Sequence, residues 1–197
     1  LTLMGPSGAG KSTLLNLLTL TPSGGRPRGR VTLGGEAFTL TLYQRYAAML
    51  PQADMALWAY LTVREHISLA VSLFQPSADA AQLEVRVREL VDGMGLGRAQ
   101  ETRAAQASGG QKRRLSLGVA LAKRPLLLFL DEPTSGLDAV AAASIMRFLN
   151  RLTAELGLAS FCTIHAPSSA VFAGMDRVCF LTGGRIAYLG AAAELTG

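Results

Sequence analysis

No apolar run in this 197-residue chain approaches the roughly 20 residues that span a bilayer, and its opening residues do not read as a signal peptide. Cysteine is scarce. Cys162 and Cys179 are the only two, each inside an apolar run with no metal-ligand spacing around it, which fits reduced, buried thiols in a cytosolic compartment. Charged residues make up 17% against 49% hydrophobic, so the composition argues for a globular fold over disorder. There is no internal repeat and no low-complexity segment. Lys+Arg 19 against Asp+Glu 14 leaves +5, an excess that would suit nucleic acid or anionic lipid. The basic residues are scattered apart from Lys112, Arg113 and Arg114, which favours an ordinary solvated surface. The length suits one large domain, or one with a small inserted subdomain.

What the sequence does have is Gly-Pro-Ser-Gly-Ala-Gly-Lys-Ser-Thr at residues 5–13, a match to G-x-x-x-x-G-K-[ST] between an apolar run and a helical pattern. Gly5, Gly8 and Gly10 permit backbone angles and close approaches that a side chain forbids, so successive N–H groups can turn toward phosphate oxygens. The helix that follows adds its positive N-terminal end. Ser7, Gly8, Ala9, Gly10, Lys11, Ser12 and Thr13 are therefore candidate phosphate contacts. Lys11 would meet the β- and γ-phosphates as a point charge, and the Ser12 hydroxyl would ligate Mg²⁺. A glycine-rich turn that binds nothing is the alternative, and the strand before and helix after count against it.

Along the chain, residues 14–20 continue this helix until Thr21, Pro22, Ser23, Gly24 and Gly25 break it. Residues 31–33 and 46–50 read as short strands with Gly34-Gly35 as the turn between them, and Gln52 follows the second at its C-terminal end, where open α/β sheets bind ligands. Residues 62–74 begin with a capping-box pattern, Thr62 and Glu65, and a second helix is expected over 79–94 with Leu83, Val87, Leu90 and Val91 on one face. The charged residues of 84–89 read as a wet helix face. Nothing strand-like interrupts residues 62–107, which suggests a helical subdomain inserted in an α/β core.

Ser108, Gly109, Gly110 and Gln111 open a further helix carrying Leu117, Ala120 and Leu121, and admit two readings: an ordinary cap, or a site for a phosphate that this chain's own P-loop does not hold. Residues 126–130 form a continuous apolar run that ends in Asp131 and Glu132. Two carboxylates at the end of a buried strand are costly unless hydrogen-bonded or holding a cation. Beside a P-loop they read as the Mg²⁺ aspartate and a base that polarises water, with a helix-capping pair as the alternative. Residues 133–138 are a turn, with Asp138 a cap for a helix over 139–156. A buried strand at 160–164 ends at His165, which is either structural or a partner for the terminal phosphate. Residues 178–181 and 185–189 form a closing hairpin around Thr182-Gly183-Gly184.

The order of P-loop, Gln52, Ser108-Gly109-Gly110-Gln111, the apolar strand with Asp131-Glu132, Ser135-Gly136-Leu137-Asp138 and His165 resembles the nucleotide-binding domain of an ABC ATPase over nearly the whole chain. Leu61-Thr62-Val63-Arg64-Glu65, Gln111-Lys112-Arg113-Arg114-Leu115-Ser116, Thr163-Ile164-His165-Ala166-Pro167-Ser168-Ser169 and Gly184-Arg185-Ile186-Ala187-Tyr188-Leu189-Gly190 are similar to the G subfamily, the White or eye-pigment half-transporters. The resemblance implies a P-loop α/β core with a mostly parallel sheet, antiparallel β strands and the helical insert. It implies ATP and Mg²⁺, with Ser12, Gln52 and Asp131 at the metal and Glu132, His165 and Gln52 at the hydrolytic site. It implies a second nucleotide-binding domain, identical or not, closing head to tail so that Ser108 to Gln111 and Asp138 meet nucleotide on the partner's P-loop. It implies a transmembrane domain, C-terminal in the same full-length chain, with this domain on the cytoplasmic side, no nucleic acid partner, and export of a lipophilic or small organic substrate. The chain opens inside the strand that feeds the P-loop and so reads as a fragment, with the residue that stacks on adenine falling before Leu1. Two departures stand out: Gln106-Ala107 precede the serine where many members carry leucine, and Ala166 follows the histidine where G-type members often carry glutamine. A soluble ABC ATPase acting on ribosomes or DNA, and a regulatory domain that binds nucleotide without turnover, are the alternatives.

Overall fold

A computed structural model describes residues 1–21, 24, 26–52 and 56–195. Pro22, Ser23 and Gly25, expected to break the first helix, lie outside the described residues. The chain divides into two compact units, one made of Leu1–Gln52 with Leu126–Gly197 and the other of Ala53–Pro125.

The first unit is built on a six-stranded sheet in the order β4-β5-β6-β1-β7-β8, using β1 (Thr2–Met4), β4 (Ala47–Leu50), β5 (Leu127–Leu130), β6 (Ala159–Ile164), β7 (Arg177–Thr182) and β8 (Arg185–Ala191). All neighbouring pairs are parallel except β7 with β8, the closing hairpin. The inner strands are short apolar runs, as expected of strands covered on both faces. A separate ribbon joins β2 (Thr32–Leu33) to β3 (Glu36–Ala37) through Gly34 and Gly35, at φ +61° and +89°. The glycine turn therefore connects β2 to β3, and a helix, α2 (Leu40–Tyr46), stands between them and β4. Sequence reading passed over α2 because it buries no residue fully: Thr39 caps it through the Leu42 amide, and Tyr43 leans on Phe38 and Phe129 with centroids 6.3 and 6.4 Å away.

Helix α1 (Lys11–Leu18) follows the P-loop and buries Leu15 against Phe38, Ala47 and Phe129. It stops two residues short of the expected end, where the Thr19 hydroxyl donates to the Leu15 carbonyl at 3.0 Å and Leu20 takes φ +60°. The long helix α6 (Ala139–Leu156) buries Ala142, Ile145, Met146, Leu149 and Leu152, the 3–4 spacing of one helical stripe. Asp138 caps its start through the Val140 and Ala141 amides, and Gly157 at φ +62° closes its end. Cys162 and Cys179 are buried and unbridged, and desolvation raises the Cys162 thiol above its ordinary value despite its hydrogen bond with Thr2.

The second unit packs α3 (Val63–Phe74), α4 (Ala80–Gly93) and α5 (Gly109–Leu121), each opened by a complete capping box: Thr62 with Glu65, Asp79 with Gln82, Ser108 with Gln111. It runs wider than the expected 62–107 because α5 shares its core. Gly118 of α5 lies where a Cβ would come within 3.2 Å of Met94 and 3.3 Å of Ile67, so the three segments meet at a residue without a side chain. The helix face of residues 84–89 is not merely wet. Arg64 donates to both oxygens of Glu84 at 2.5 Å, and Arg86, with a side chain only 11% exposed, donates to the Leu121 carbonyl. Among the described residues no helix is long and apolar enough to cross a membrane.

Two outcomes follow. Gly118→Val forces a branched side chain into the three-helix contact and lowers the unfolding free energy by about 1–3 kcal/mol, read from the urea midpoint at unchanged m. The hydrogen bond from Arg64 holds the Glu84 carboxyl below its usual value, so this pair's contribution is present above the usual carboxylate range and is lost as pH falls through the depressed one. The stability gap between the parent and Glu84→Gln, followed by chemical unfolding across acidic pH, therefore narrows as pH drops.

Candidate functional site

Because β4, β5, β6 and β1 run parallel, their carboxyl ends fall on one edge of the sheet. The register sets what stands opposite what. Leu130 pairs with Cys162 and Met4 with Ile164, so one residue further on Asp131 faces Thr163, and Gly5 faces His165. At this edge a cleft of about 510 Å³ is lined by Ser7, Gly8, Gly10, Lys11, Ser12, Thr13, Gln52, Glu132 and His165. Residues spread from 7 to 165 are thus gathered in one unit by strand direction alone.

The P-loop is shaped by its glycines. Gly5 lies so close to β7 that a Cβ would sit 2.1 Å from the Leu181 carbonyl oxygen, while Gly8 and Gly10 take φ +76° and +97°. Ala9 turns the other way, packing its methyl among Leu3, Cys179 and Leu181 and accepting the Gly184 amide at its carbonyl. Lys11 is only 7% exposed, and its ammonium donates to the Gly5 and Pro6 carbonyls at 2.9 and 3.1 Å. Two of its three N–H donors are thereby used to fix the loop, and the buried charge faces a cleft that also contains three hydroxyls, Ser7, Ser12 and Thr13.

Across the cleft the acidic pair is held by its neighbours. The Asp131 amide donates to the Leu50 carbonyl and continues the strand pairing, whereas Glu132 leaves it, at φ +42°. A non-glycine residue in the left-handed region stores roughly 1–3 kcal/mol of strain, which surrounding contacts must hold. Here the Glu132 amide donates to the Thr163 hydroxyl at 2.9 Å and the Gln52 side-chain amide donates to the Glu132 carboxylate at 2.9 Å. The same Thr163 hydroxyl donates to Asp131 at 2.5 Å. His165 reaches the Gly5 carbonyl through Nδ1 at 3.4 Å, and Ala166 behind it is again left-handed, at φ +44°.

Of the residues singled out in the sequence, Ser7, Gly8, Gly10, Lys11, Ser12, Thr13, Gln52, Glu132 and His165 line one cleft. Gly5, Ala9 and Asp131 support its wall. Asp138 caps α6 away from that lining, and its carboxylate is engaged by two amides. Ser108, Gly109, Gly110 and Gln111 belong to the second unit and open α5 there, the Ser108 oxygen accepting the Gln111 amide at 3.3 Å and the Gln111 side chain accepting the Ser108 amide at 2.9 Å. Thr163, which the sequence places in a buried apolar strand and in a stretch similar to the G subfamily but gives no role of its own, contacts both Asp131 and Glu132.

The donor set suits a magnesium-bound nucleoside triphosphate. A buried ammonium and glycine-shaped backbone suit an anion, and the Ser12 hydroxyl, the Asp131 carboxylate and the Gln52 amide oxygen are among the hard ligands that Mg²⁺ takes. Among the described residues no three His, Cys, Asp or Glu side chains cluster as a metal cage.

Comparison with known proteins bears on this geometry. The chain is 37% identical over 201 residues to ABC transporter G family member 6 of Arabidopsis thaliana, and 36% identical over 198 residues to ABC transporter G family member 8 of Dictyostelium discoideum. These alignments take in 99% and 95% of this chain but 27% and 31% of those proteins, so the chain spans under a third of the length of the curated relatives it matches. Its fold superimposes on CbiO1 of Clostridium perfringens, described as part of the ABC transporter complex cbiONQ, with a TM-score of 0.87 and 25% identity over 99% of this chain and 78% of that one. Residues 1–135 match the ABC transporter family profile, and with that match the chain belongs to the ABC transporter family as one of its nucleotide-binding ATPase domains.

Proposed function

We propose that this domain hydrolyses Mg·ATP at the cleft on the carboxyl edge of its sheet, and that it works as one of two such domains driving a membrane partner. The observation that carries the reading is the convergence of Lys11, Ser12, Gln52, Glu132 and His165 on one cleft beside Asp131. Lys11 and the P-loop amides bind the β- and γ-phosphates; the ammonium, already tied to two loop carbonyls, brings its charge at little further ordering cost. Ser12, Asp131 and Gln52 would hold a Mg²⁺ ion, which would supply charge neutralisation at the phosphoryl oxygens. Glu132 orients the attacking water, its strained backbone keeping the carboxylate turned off the strand and into the cleft. His165, fixed against Gly5, supports the terminal phosphate. Because Gln52 donates to Glu132, the residue that joins the metal is also the residue that restrains the base.

The partner half of the reading rests on α5. Ser108 to Gln111 place a hydroxyl and glycine amides at a helix N-terminus, suited to the terminal phosphate on a second domain's P-loop. Kinship with G family members supports a transmembrane domain in the same full-length protein, a cytoplasmic face for this domain, and export of a lipophilic or small organic substrate.

Two measurements test this. Glu132→Gln keeps the side chain's shape and its contact with Gln52 and removes the base, so phosphate release from Mg·ATP falls about 10²- to 10⁴-fold while nucleotide affinity holds; release at the parent rate ends the assignment. Ser108→Asp separates cap from phosphate site. Aspartate caps a helix as well as serine, so thermal stability is kept, yet its charge repels a phosphate. ATP-driven dimerisation of the Glu132→Gln background, followed by sedimentation, is lost when Ser108→Asp is added, whereas a mere cap predicts no change.

A further inference from the structure

The geometry points to Thr163 as a positioning residue that sets both acidic groups of the site through a single oxygen, an inference that rests on the roles proposed for Asp131 and Glu132. Thr163 is completely buried, in a strand whose neighbouring residues Cys162 and Ile164 are apolar and nearly as buried. A hydroxyl there is costly unless bonded, and valine would have the same shape with no such cost. The hydroxyl is used in both directions. Its one O–H donates to the Asp131 carboxylate at 2.5 Å, the length of a charge-assisted bond, and its oxygen accepts the Glu132 amide at 2.9 Å.

The sheet register makes this double contact possible. Leu130 pairs with Cys162, so Thr163 comes abreast of the point where β5 ends and the chain turns left-handed at Glu132. Pinning the Asp131 carboxylate restricts rotation of that metal-ligand candidate. Pinning the Glu132 amide steadies the strained backbone that aims the base candidate into the cleft. Neither effect brings Thr163 itself to the substrate: it lines no part of the cleft, and it acts through the two acids.

The test uses the full-length protein with Thr163→Val, Thr163→Ser and Asp131→Asn. Each is titrated with a fluorescent non-hydrolysable ATP analogue, with and without Mg²⁺, alongside kcat and KM for ATP. Thr163→Val is expected to lose about 10- to 100-fold of the Mg²⁺-dependent gain in affinity, the effect of one hydrogen bond to a charged group, with metal-free binding unchanged. The kcat falls over the same range, and Thr163→Ser restores both. Equal Mg²⁺ dependence and kcat in Thr163→Val and parent, while Asp131→Asn abolishes the gain, overturns the role of Thr163 alone. A neutral Asp131→Asn overturns the metal assignment beneath it. Thermal unfolding accompanies every variant. Should Thr163→Val not fold, Thr163→Cys, whose thiol is a weak donor, carries the same comparison against Thr163→Ser.

Discussion

Parallel strand register is the constraint on which the rest of this structure depends. Four strand ends deliver Gly5, Gln52, Asp131 with Glu132, and His165 to one edge because β1, β4, β5 and β6 all point the same way. A slip of one residue between β5 and β6 would move Thr163 off Asp131 and turn every side chain of the slipped strand to the opposite face of the sheet. The apolar residues that fix the register, Leu128, Leu130, Cys162 and Ile164, are all at most 4% exposed, so the hydrophobic pattern that forms the core also aligns the polar groups beyond it. Packing and chemistry are here one specification, written in consecutive residues of the same strands.

Where the strands end, the backbone departs from its relaxed range on both sides of the cleft. Gly5 approaches the Leu181 carbonyl more closely than any side chain permits, and Glu132 and Ala166 turn left-handed, each two residues beyond the end of its strand, β5 and β6. Such conformations persist only where contacts over-determine them. Glu132 has two restraints, one on its amide from β6 and one on its carboxylate from Gln52. The second is the reversible one, since it joins two side chains, so movement of Gln52 changes the freedom of the Glu132 carboxylate without disturbing the sheet.

What could be read in the sequence was what local chemistry dictates. The Thr62–Glu65 capping box, the Asp138 cap of α6 and the apolar runs of β5 and β6 announce themselves because each is settled within a few residues. Illegible features were those decided elsewhere in the chain. Helix α2 carries no buried stripe and depends on aromatic contact with Phe38 and Phe129, so its own seven residues lack a periodic signal. Thr163 looks like one more β-branched strand residue until the register shows what it faces. Charge was similarly deceptive. The basic run at Lys112, Arg113 and Arg114 is folded into the helical unit, with Arg113 only 7% exposed, while Arg26, Arg28 and Arg30, which looked scattered, are exposed.

Ser108 shows why two readings of one residue need not compete. A hydroxyl has one donor and two acceptor lone pairs, and capping draws on the acceptor side: the Ser108 oxygen receives the Gln111 amide, and the Ser108 amide is satisfied in turn by the Gln111 side chain. The hydroxyl proton takes no part in either bond. A serine that stabilises the start of α5 therefore retains the group needed to donate to a phosphate, and the cap fixes the direction in which the hydroxyl and the Gly109 and Gly110 amides lie. The cap and the proposed phosphate contact are compatible at this helix end because they would use opposite polarities of the same oxygen. An aspartate would serve the first role as well as serine and oppose the second, which is the physical reason a hydroxyl rather than a carboxylate belongs at a helix start that meets an anion.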